Sequence, residues 1–224
     1  MTRALVIGNS DGIGLALTRR LLADGWDVVG VSRRASEVVH GRYAHHVADV
    51  TGADFPAVLA GVGPVDACVY AAGVGEVFDV GDLAAQTRAV EVNLLGAARA
   101  VEAVVPAMVA AGRGHFVGLS SLADVLVSPD SPGYAASKAG LSSYLLGLAG
   151  ALRRHGVAVT CVRFGFVDTK MAKGDVKPML VGVERAVDVL VRALRTRPVV
   201  VSYPKRMSVL ARALRIASGV RVGR

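Results

Sequence analysis

The segment Gly8-Asn9-Ser10-Asp11-Gly12-Ile13-Gly14, called the glycine turn below, follows a short apolar run at residues 4–7 and precedes a helical pattern at 15–22. Glycines between a strand and a helix let the backbone approach a phosphate closely, and the first turn of the helix offers free N–H groups. The spacing is G-x-x-x-G-x-G rather than the commoner G-x-G-x-x-G. The segment predicts a nucleotide-binding turn, with a tight strand-to-helix turn lacking a ligand as the alternative.

The rest of the chain repeats this order of strand and helix. Apolar and β-branched runs predict further strands at 27–32, 43–50, 65–70, 115–120, 157–164 and 198–203, and helical patterns cover 81–93, 96–111, 134–155 and 184–195. Buried strands that alternate with helices form parallel sheets covered on both faces. We therefore expect an α/β fold: a single-domain, Rossmann-type, doubly wound parallel sheet of about seven strands over residues 1–204, with a ligand beyond the carboxyl ends of the strands.

The composition limits the class of protein. With 224 residues and 53% hydrophobic residues, the chain is long and apolar enough for a folded domain and does not match a disordered chain. The first apolar run is too short for a signal peptide, and no run approaches the roughly 18 apolar residues of a membrane span. Cys68 and Cys161 lie in apolar runs and are interpreted as buried thiols, with a disulfide less favoured. We expect a cytoplasmic protein.

Positive charge is concentrated near the end of the chain. The net charge is +8, but residues 189–224 contain nine Lys and Arg and no Asp or Glu, so residues 1–188 carry −1. This distribution, with only 5% aromatic residues, does not favour a nucleic-acid partner. Residues 205–224 form a basic tail with a predicted helix at 205–218. We favour packing of its Met207, Leu210 and Leu214 stripe on the fold or a partner subunit over contact with an anionic membrane surface.

The end of the second predicted strand, Ser32-Arg33-Arg34, bears on the choice of cofactor. NAD-binding units usually place a carboxylate there to hold the ribose hydroxyls. Here two guanidinium groups stand instead, and guanidinium binds phosphate with a planar fork. The segment favours NADP(H) over NAD(H), although Asp11 in the glycine turn does not favour a phosphate. The alternative is that both arginines are solvated turn residues.

Three residues predict an acid–base centre. Tyr134 and Lys138 stand at i and i+4 near the start of a predicted helix, so both lie on one face. A neighbouring ammonium lowers the pKa of a phenol, which is near 10 in a model peptide. Ser121 ends the fifth predicted strand, where its hydroxyl could bind a substrate oxygen. Each residue alone has an ordinary interpretation as a surface or core residue, but the set indicates catalysis.

At this point the sequence resembles the short-chain dehydrogenase/reductase family over roughly residues 3–204. The matching segments stand in the family's order: the glycine turn, Asp49-Val50, Ala71-Ala72-Gly73, Asn93, Ser121, Tyr134, Lys138 and Val167-Asp168-Thr169. The resemblance implies an NADP(H)-dependent oxidoreductase that interconverts an alcohol and a carbonyl, acts on a small molecule without a metal, and forms a homodimer or tetramer. A non-catalytic NADP(H) sensor or scaffold is the alternative.

The resemblance also implies a role for each matching residue. Tyr134 would transfer the proton, Lys138 would lower its pKa and hold the nicotinamide ribose, Ser121 would orient the carbonyl, and Asn93 would support a water relay to the lysine. The cofactor contacts would come from the glycine turn, Ser32, Arg33, Arg34, Asp49, Val50, Ala71, Ala72, Gly73, Val167 and Thr169, together with Asn93, Tyr134 and Lys138.

Two departures from the family pattern concern local geometry. Tyr70 stands where the family usually has Asn, and Phe164-Gly165, preceded by Arg163, stands where Pro-Gly is usual. The loop at 122–133 and the segment at 164–182, which the resemblance places around the substrate, are rich in apolar residues. We therefore expect a substrate with an uncharged body.

Overall fold

All seven strands in the described part of the chain run parallel in one sheet, in the order β3-β2-β1-β4-β5-β6-β7. The structure is a computed structural model that describes residues 2–171 and 178–207. The strands are β1 Arg3–Ile7, β2 Asp27–Ser32, β3 Tyr43–Val47, β4 Ala67–Tyr70, β5 Gly114–Ser121, β6 Val157–Phe164 and β7 Val200–Tyr203. The predicted Rossmann-type sheet is confirmed, and its strand order reverses at β1 and β4, which lie side by side.

Helices cover both faces of the sheet, as predicted. They are α1 Gly12–Ala23, α2 Phe55–Val62, α3 Ala84–Val90, α4 Gly96–Ala110, α5 Pro132–Leu152 and α6 Val183–Thr196. Helices α1 and α6 pack on one face, and α2, α4 and α5 pack on the other. Helix α2 was missed from the sequence, because its eight residues, FPAVLAGV, are all apolar or glycine and show no helical period.

Alternate residues of the central strand β1 enter the two hydrophobic cores. Leu5 and Ile7 belong to the core beneath α2, α4 and α5, whereas Ala4 and Val6 belong to the core beneath α1 and α6. All four side chains are fully buried. A parallel strand covered on both faces gains from apolar residues at every position, which explains its continuous apolar run.

The longest helical run, Ala84–Ala110, joins α3 and α4 through a π-helical turn, Glu91–Leu95. Its most apolar window has a mean hydropathy of 1.4, so by length and composition alone the run could cross a membrane, as could the core helix of a folded domain. It is not a continuous apolar run, because charged residues such as Arg88 and Arg99 interrupt it. Half of its most apolar window is buried inside the fold, and Arg99 donates hydrogen bonds to the Val50 and Thr51 carbonyls. These contacts pack the run as a core helix.

The end of β3 differs from the sequence prediction, and most of one predicted helix cannot be compared with the described residues. Strand β3 ends at Val47, and Asp49 then accepts hydrogen bonds from the Thr51 N–H and hydroxyl, which form a turn beyond the strand. The cysteines are buried and free, as predicted. Most of the predicted helix at 205–218 lies outside the described residues. Met207 is described, and its sulfur packs so closely on Gly165 that a Cβ there would overlap it.

Candidate active site

The glycine turn lies at the point where the strand order reverses, which is where open α/β sheets bind ligands. Gly8 has a φ of +87°, and a Cβ on it would lie 2.5 Å from the Ala72 nitrogen. A Cβ on Gly14 would overlap the Gly8 carbonyl oxygen. The turn therefore requires glycine at both positions, and it brings the start of α1 against the Ala71-Ala72-Gly73 segment that follows β4.

Asp11 caps helix α1 and is surrounded by cations. Its Oδ1 accepts a hydrogen bond from the Gly12 N–H at 2.8 Å, and its Oδ2 lies 2.8 Å from Lys170 Nζ and 3.5 Å from an Arg34 nitrogen. The hydrogen bond from Lys170 holds the pKa of Asp11 below its ordinary value. The negative charge that the sequence placed in the turn is thus compensated by two side chains at the same edge of the sheet.

The residues expected at the adenosine end follow β2 and β3. Ser32 is buried at the end of β2, and its hydroxyl donates to the Arg34 carbonyl at 2.8 Å. The side chains of Arg33 and Arg34 are exposed at the sheet edge. Asp49 Oδ2 lies 3.4 Å from an Arg88 nitrogen, an ion pair that sequence reasoning did not find. The residues expected to contact the phosphate and the adenine therefore lie at neighbouring strand ends. Asp49 also forms an ion pair with Arg88 and accepts hydrogen bonds from Thr51.

The four expected catalytic residues come from β5, α5 and the π-helical turn. Ser121 is the last residue of β5, and its Oγ accepts from the Ala123 N–H at 3.1 Å, while its hydroxyl is near enough to the Tyr134 phenol to lower the pKa of that group. Lys138, one turn along α5, places its Nζ 5.7 Å from the centroid of the Tyr134 ring. The serine, tyrosine and lysine are therefore brought together as the sequence predicted.

Asn93 is fully buried within the π-helical turn, a feature that is frequent at functional sites. Its amide exchanges hydrogen bonds with the Val74 N–H and carbonyl at 2.8 and 2.9 Å, and its Nδ2 donates to Ser137 Oγ at 2.9 Å. A Cβ on Gly73 would lie 3.3 Å from Asn93 Oδ1 and 3.6 Å from Lys138 Nζ. Asn93 thus fixes the loop after β4, and Gly73 separates it from the lysine.

Burial has the largest effect on the pKa values of Lys138 and Tyr134. It lowers the pKa of Lys138 to about 8, while the Nζ donates to the Leu119 carbonyl at 2.8 Å. Burial raises the pKa of Tyr134, the hydrogen bond with Ser121 opposes that rise, and the Asp124 carboxylate adds to it. Desolvation of the phenolate is therefore the largest effect on the pKa of Tyr134, and the lowering of that pKa by the ammonium stays a prediction.

Sequence reasoning missed two contacts around the tyrosine. A Cβ on Gly75 would lie 2.9 Å from Tyr134 Cδ2, so the ring packs directly on the glycine backbone. Asp124 forms a buried ion pair with Arg163 and accepts a hydrogen bond from Ser142 Oγ at 2.5 Å. The unusual Arg163 therefore compensates a buried carboxylate next to Ser121. Neither contact has a local signal, because each joins residues at least 18 positions apart.

The segment after β6, which the resemblance places at the cofactor, reaches the glycine turn. Val167 is buried and pairs with Val181, and Thr169 Cγ2 lies 3.2 Å from the place where a Cβ on Gly12 would be.

Tyr70, which stands where the family usually has Asn, has a packing role. Its hydroxyl donates to the Val92 carbonyl at 2.5 Å, which ties β4 to the π-helical turn that carries Asn93.

Comparisons with known proteins agree with this architecture. Residues 2–179 match the short chain dehydrogenase family profile. The chain is 34% identical over 209 residues to an uncharacterized oxidoreductase of Myxococcus xanthus, covering 85% of this chain and 83% of that one. It is 33% identical over 188 residues to cis-4-hydroxycyclohexanecarboxylate dehydrogenase of Sinomonas cyclohexanicum, covering 76% and 75%.

A solved structure extends the comparison to the fold. A short chain dehydrogenase from Burkholderia cenocepacia, in complex with NADP, superposes with a TM-score of 0.89 at 26% identity and covers 100% of this chain and 98% of that chain. The fold and the site define a nucleotide-binding oxidoreductase. The chain belongs to the short-chain dehydrogenase/reductase family, whose members bind NAD(P).

The residues present fit such a cofactor. A pyrophosphate needs a close backbone approach and free N–H groups at a helix terminus, and the glycine turn provides both where Cβ atoms on Gly8 and Gly14 would not fit. The exposed guanidinium groups of Arg33 and Arg34 lie at the neighbouring strand end. Tyr134, Lys138 and Ser121 lie on the other side of the glycine turn, toward β5.

Proposed function

We propose that this protein is an NADP(H)-dependent oxidoreductase that interconverts an alcohol and a carbonyl. The observation that carries the proposal is the grouping of Ser121, Tyr134 and the buried Lys138 at the sheet edge that carries the glycine turn, with Lys138 Nζ 5.7 Å from the centroid of the Tyr134 ring. A phenol, a hydroxyl and a buried ammonium supply a proton donor, a hydrogen bond for the substrate oxygen and a positive charge. The site thus serves general acid–base catalysis on a carbonyl oxygen.

The chain's own residues divide the reaction between them. A bound nicotinamide would supply or accept the hydride. Ser121 holds the substrate oxygen next to Tyr134, which donates its proton during reduction and removes one during oxidation. The raised pKa of Tyr134 keeps the phenol protonated at neutral pH, which favours reduction. Lys138 carries a positive charge below its pKa of about 8, which stabilises a phenolate once the proton has left.

The preference for NADP(H) rests on the end of β2. Arg33 and Arg34 are exposed there, and Arg34 is also attracted by Asp11 at 3.5 Å. Arg33, whose side chain has no ion pair within the described residues, is therefore our first choice for the 2′-phosphate. A solved relative contains NADP. The alternative is that both arginines remain solvated and the protein uses NAD(H).

Arg33→Ala is expected to weaken NADPH binding about tenfold or more and to change NADH binding by less than about twofold, since only NADPH carries the phosphate. Fluorescence titration of both cofactors measures this. Arg154→Ala, at the exposed end of α5, is the control and should bind both cofactors like the wild type. Equal weakening of the two cofactors would show that Arg33 holds a group common to both.

The substrate body is proposed to be uncharged, because apolar side chains stand on the segments that follow β5 and β6. Val127 is 78% exposed and Met171 is 40% exposed, while the methyl carbon of Met171 lies 3.4 Å from the place where a Cβ on Gly73 would be. Apolar groups that remain exposed beside a catalytic site favour an apolar ligand.

We further propose a cytoplasmic location for this protein.

A homodimer or tetramer is proposed through α5. Its outward face carries the small residues Ser143, Gly147 and Gly150, beside Leu146 with 43% exposure. Small residues allow a second helix to approach closely, and the apolar side chain would lose its exposure to water. Light scattering at micromolar concentration should give about two or four times the chain mass of 23.1 kDa. A mass of one chain would contradict this assembly.

The second candidate function is a non-catalytic NADP(H) sensor or scaffold. It shares the cofactor site but requires no proton transfer, so it does not account for the buried Lys138 beside Tyr134 and Ser121. Assaying cofactor oxidation with a panel of apolar aldehydes and ketones separates the two functions. Tight NADPH binding without turnover of any carbonyl would favour the sensor.

A further inference from the structure

A chain of hydrogen bonds links the glycine turn to the arginine segment across three strands. Asn9 Nδ2 donates to the Tyr43 hydroxyl at 2.6 Å, Tyr43 lies 2.9 Å from His45 Nδ1, and His45 Nε2 lies 3.1 Å from the Arg34 carbonyl. The chain crosses Gly30 on β2, where a Cβ would overlap the Asn9 amide and lie 2.6 Å from the Tyr43 hydroxyl. Glycine at this position is what allows the groups to meet.

The chemistry of the groups sets the direction of each bond. A carbonyl oxygen only accepts, so the Nε2 of His45 that faces Arg34 must carry a proton. Burial lowers the pKa of His45, so the ring is neutral at pH 7 and its Nδ1 accepts from the Tyr43 hydroxyl. Tyr43 in turn accepts from Asn9. One tautomer of one neutral histidine therefore gives each of these three bonds one donor and one acceptor, whereas Asn9 Oδ1 is buried without a hydrogen-bond partner among the described residues.

The end of this chain lies at the segment proposed to bind phosphate. The Arg34 carbonyl accepts both from His45 and from Ser32 Oγ, at 3.1 and 2.8 Å, and His45 Nε2 lies 3.4 Å from the same Ser32 hydroxyl. Two donors on one carbonyl fix the backbone of the turn after β2. The side chains of Arg33 and Arg34 are exposed and long, so this backbone determines where their guanidinium groups can reach.

We propose that His45 is a positioning residue that sets the selectivity for the 2′-phosphate, by holding the Ser32-Arg33-Arg34 turn in register with the glycine turn through Tyr43 and Asn9. This inference rests on the proposed NADP(H) preference. It assigns to β3 a part in cofactor choice, although no residue of that strand was predicted to take part. Because His45 contacts the Arg34 carbonyl directly and reaches the glycine turn only through Tyr43 and Asn9, its loss should weaken NADPH binding more than NADH binding.

The test compares matched histidine variants by titrating NADPH and NADH. His45→Leu is expected to raise the NADPH Kd about fivefold to tenfold, as loss of one or two partly exposed hydrogen bonds would, and the NADH Kd by less than about twofold. His45→Gln, which keeps an N–H for the Arg34 carbonyl, should recover most of the loss. His46→Leu, at the neighbouring exposed position on β3, should match the wild type.

Tyr43→Phe provides a second route if His45→Leu does not fold. It removes the hydroxyl and keeps the ring, and it should raise the NADPH Kd about twofold to fivefold with little change for NADH. Parallel weakening of both cofactors, or unchanged selectivity in His45→Leu and Tyr43→Phe, would overturn the inference while leaving a wild-type NADPH preference in place. A wild type without that preference would overturn the proposed cofactor itself.

Discussion

Replacing Tyr134 with Phe is expected to lower turnover at least a hundredfold on any carbonyl that the wild type reduces. The change removes the phenolic proton and keeps the ring that packs on Gly75, and a positioned acid–base group typically contributes two to four orders of magnitude. NADPH binding should stay within about twofold, because the glycine turn and the arginines are untouched. Steady-state kinetics and cofactor titration measure the two effects separately.

Tyr144→Phe is the matched control, because Tyr144 lies on the same helix but is not at the site. Its turnover should equal that of the wild type. If Tyr134→Phe kept wild-type turnover, the proton would have to come from another group, and the assignment of the acid–base centre would be wrong.

Gly8→Ala is expected to lower the free energy of unfolding by about 2–4 kcal/mol and to weaken NADPH binding more than tenfold. Its φ of +87° disfavours a residue with a side chain, and the added Cβ would lie 2.5 Å from the Ala72 backbone nitrogen. Strain of this kind and overpacking each cost about 1–3 kcal/mol. Urea unfolding and fluorescence titration test both expectations.

Gly61→Ala is the control for a methyl group added to a glycine. Gly61 lies in α2, and a Cβ there would meet no atom within 4 Å. Alanine favours a helix over glycine, so this variant should be more stable by about 0.5–1 kcal/mol. Equal losses of stability in the two variants would mean that the glycine turn has no special geometric requirement.

The sequence predicted the strands well because parallel strands buried on both faces leave continuous apolar runs, as in β1. Helix α2 left no such signal, since an eight-residue segment of apolar residues and glycine shows no period. The end of β3 was predicted too late because Asp49 starts a turn with Thr51. The helical run at 84–110 was predicted as two helices, at 81–93 and 96–111, whereas the π-helical turn Glu91–Leu95 joins them in the structure.

Candidate site residues were predictable where they form short motifs, such as Tyr134 and Lys138 one helical turn apart. The ion pair of Asp124 with Arg163 and the chain from Asn9 to His45 were not predictable, because each depends on the strand order. The effect of burial on the pKa of Tyr134 was not predictable either. Desolvation depends on how deeply the folded chain buries the phenol, which the spacing of two residues does not show.

Transfer of deuterium from NADPH that carries deuterium at both positions of its nicotinamide C4 tests the central claim most directly. The wild-type protein is incubated with the labelled cofactor and a panel of apolar aldehydes and ketones, and the products are analysed by mass spectrometry. We predict an alcohol carrying one deuterium at the former carbonyl carbon, at a rate at least a hundredfold lower with Tyr134→Phe. Bound NADPH with no deuterated alcohol from any carbonyl of the panel would contradict the proposed oxidoreductase activity.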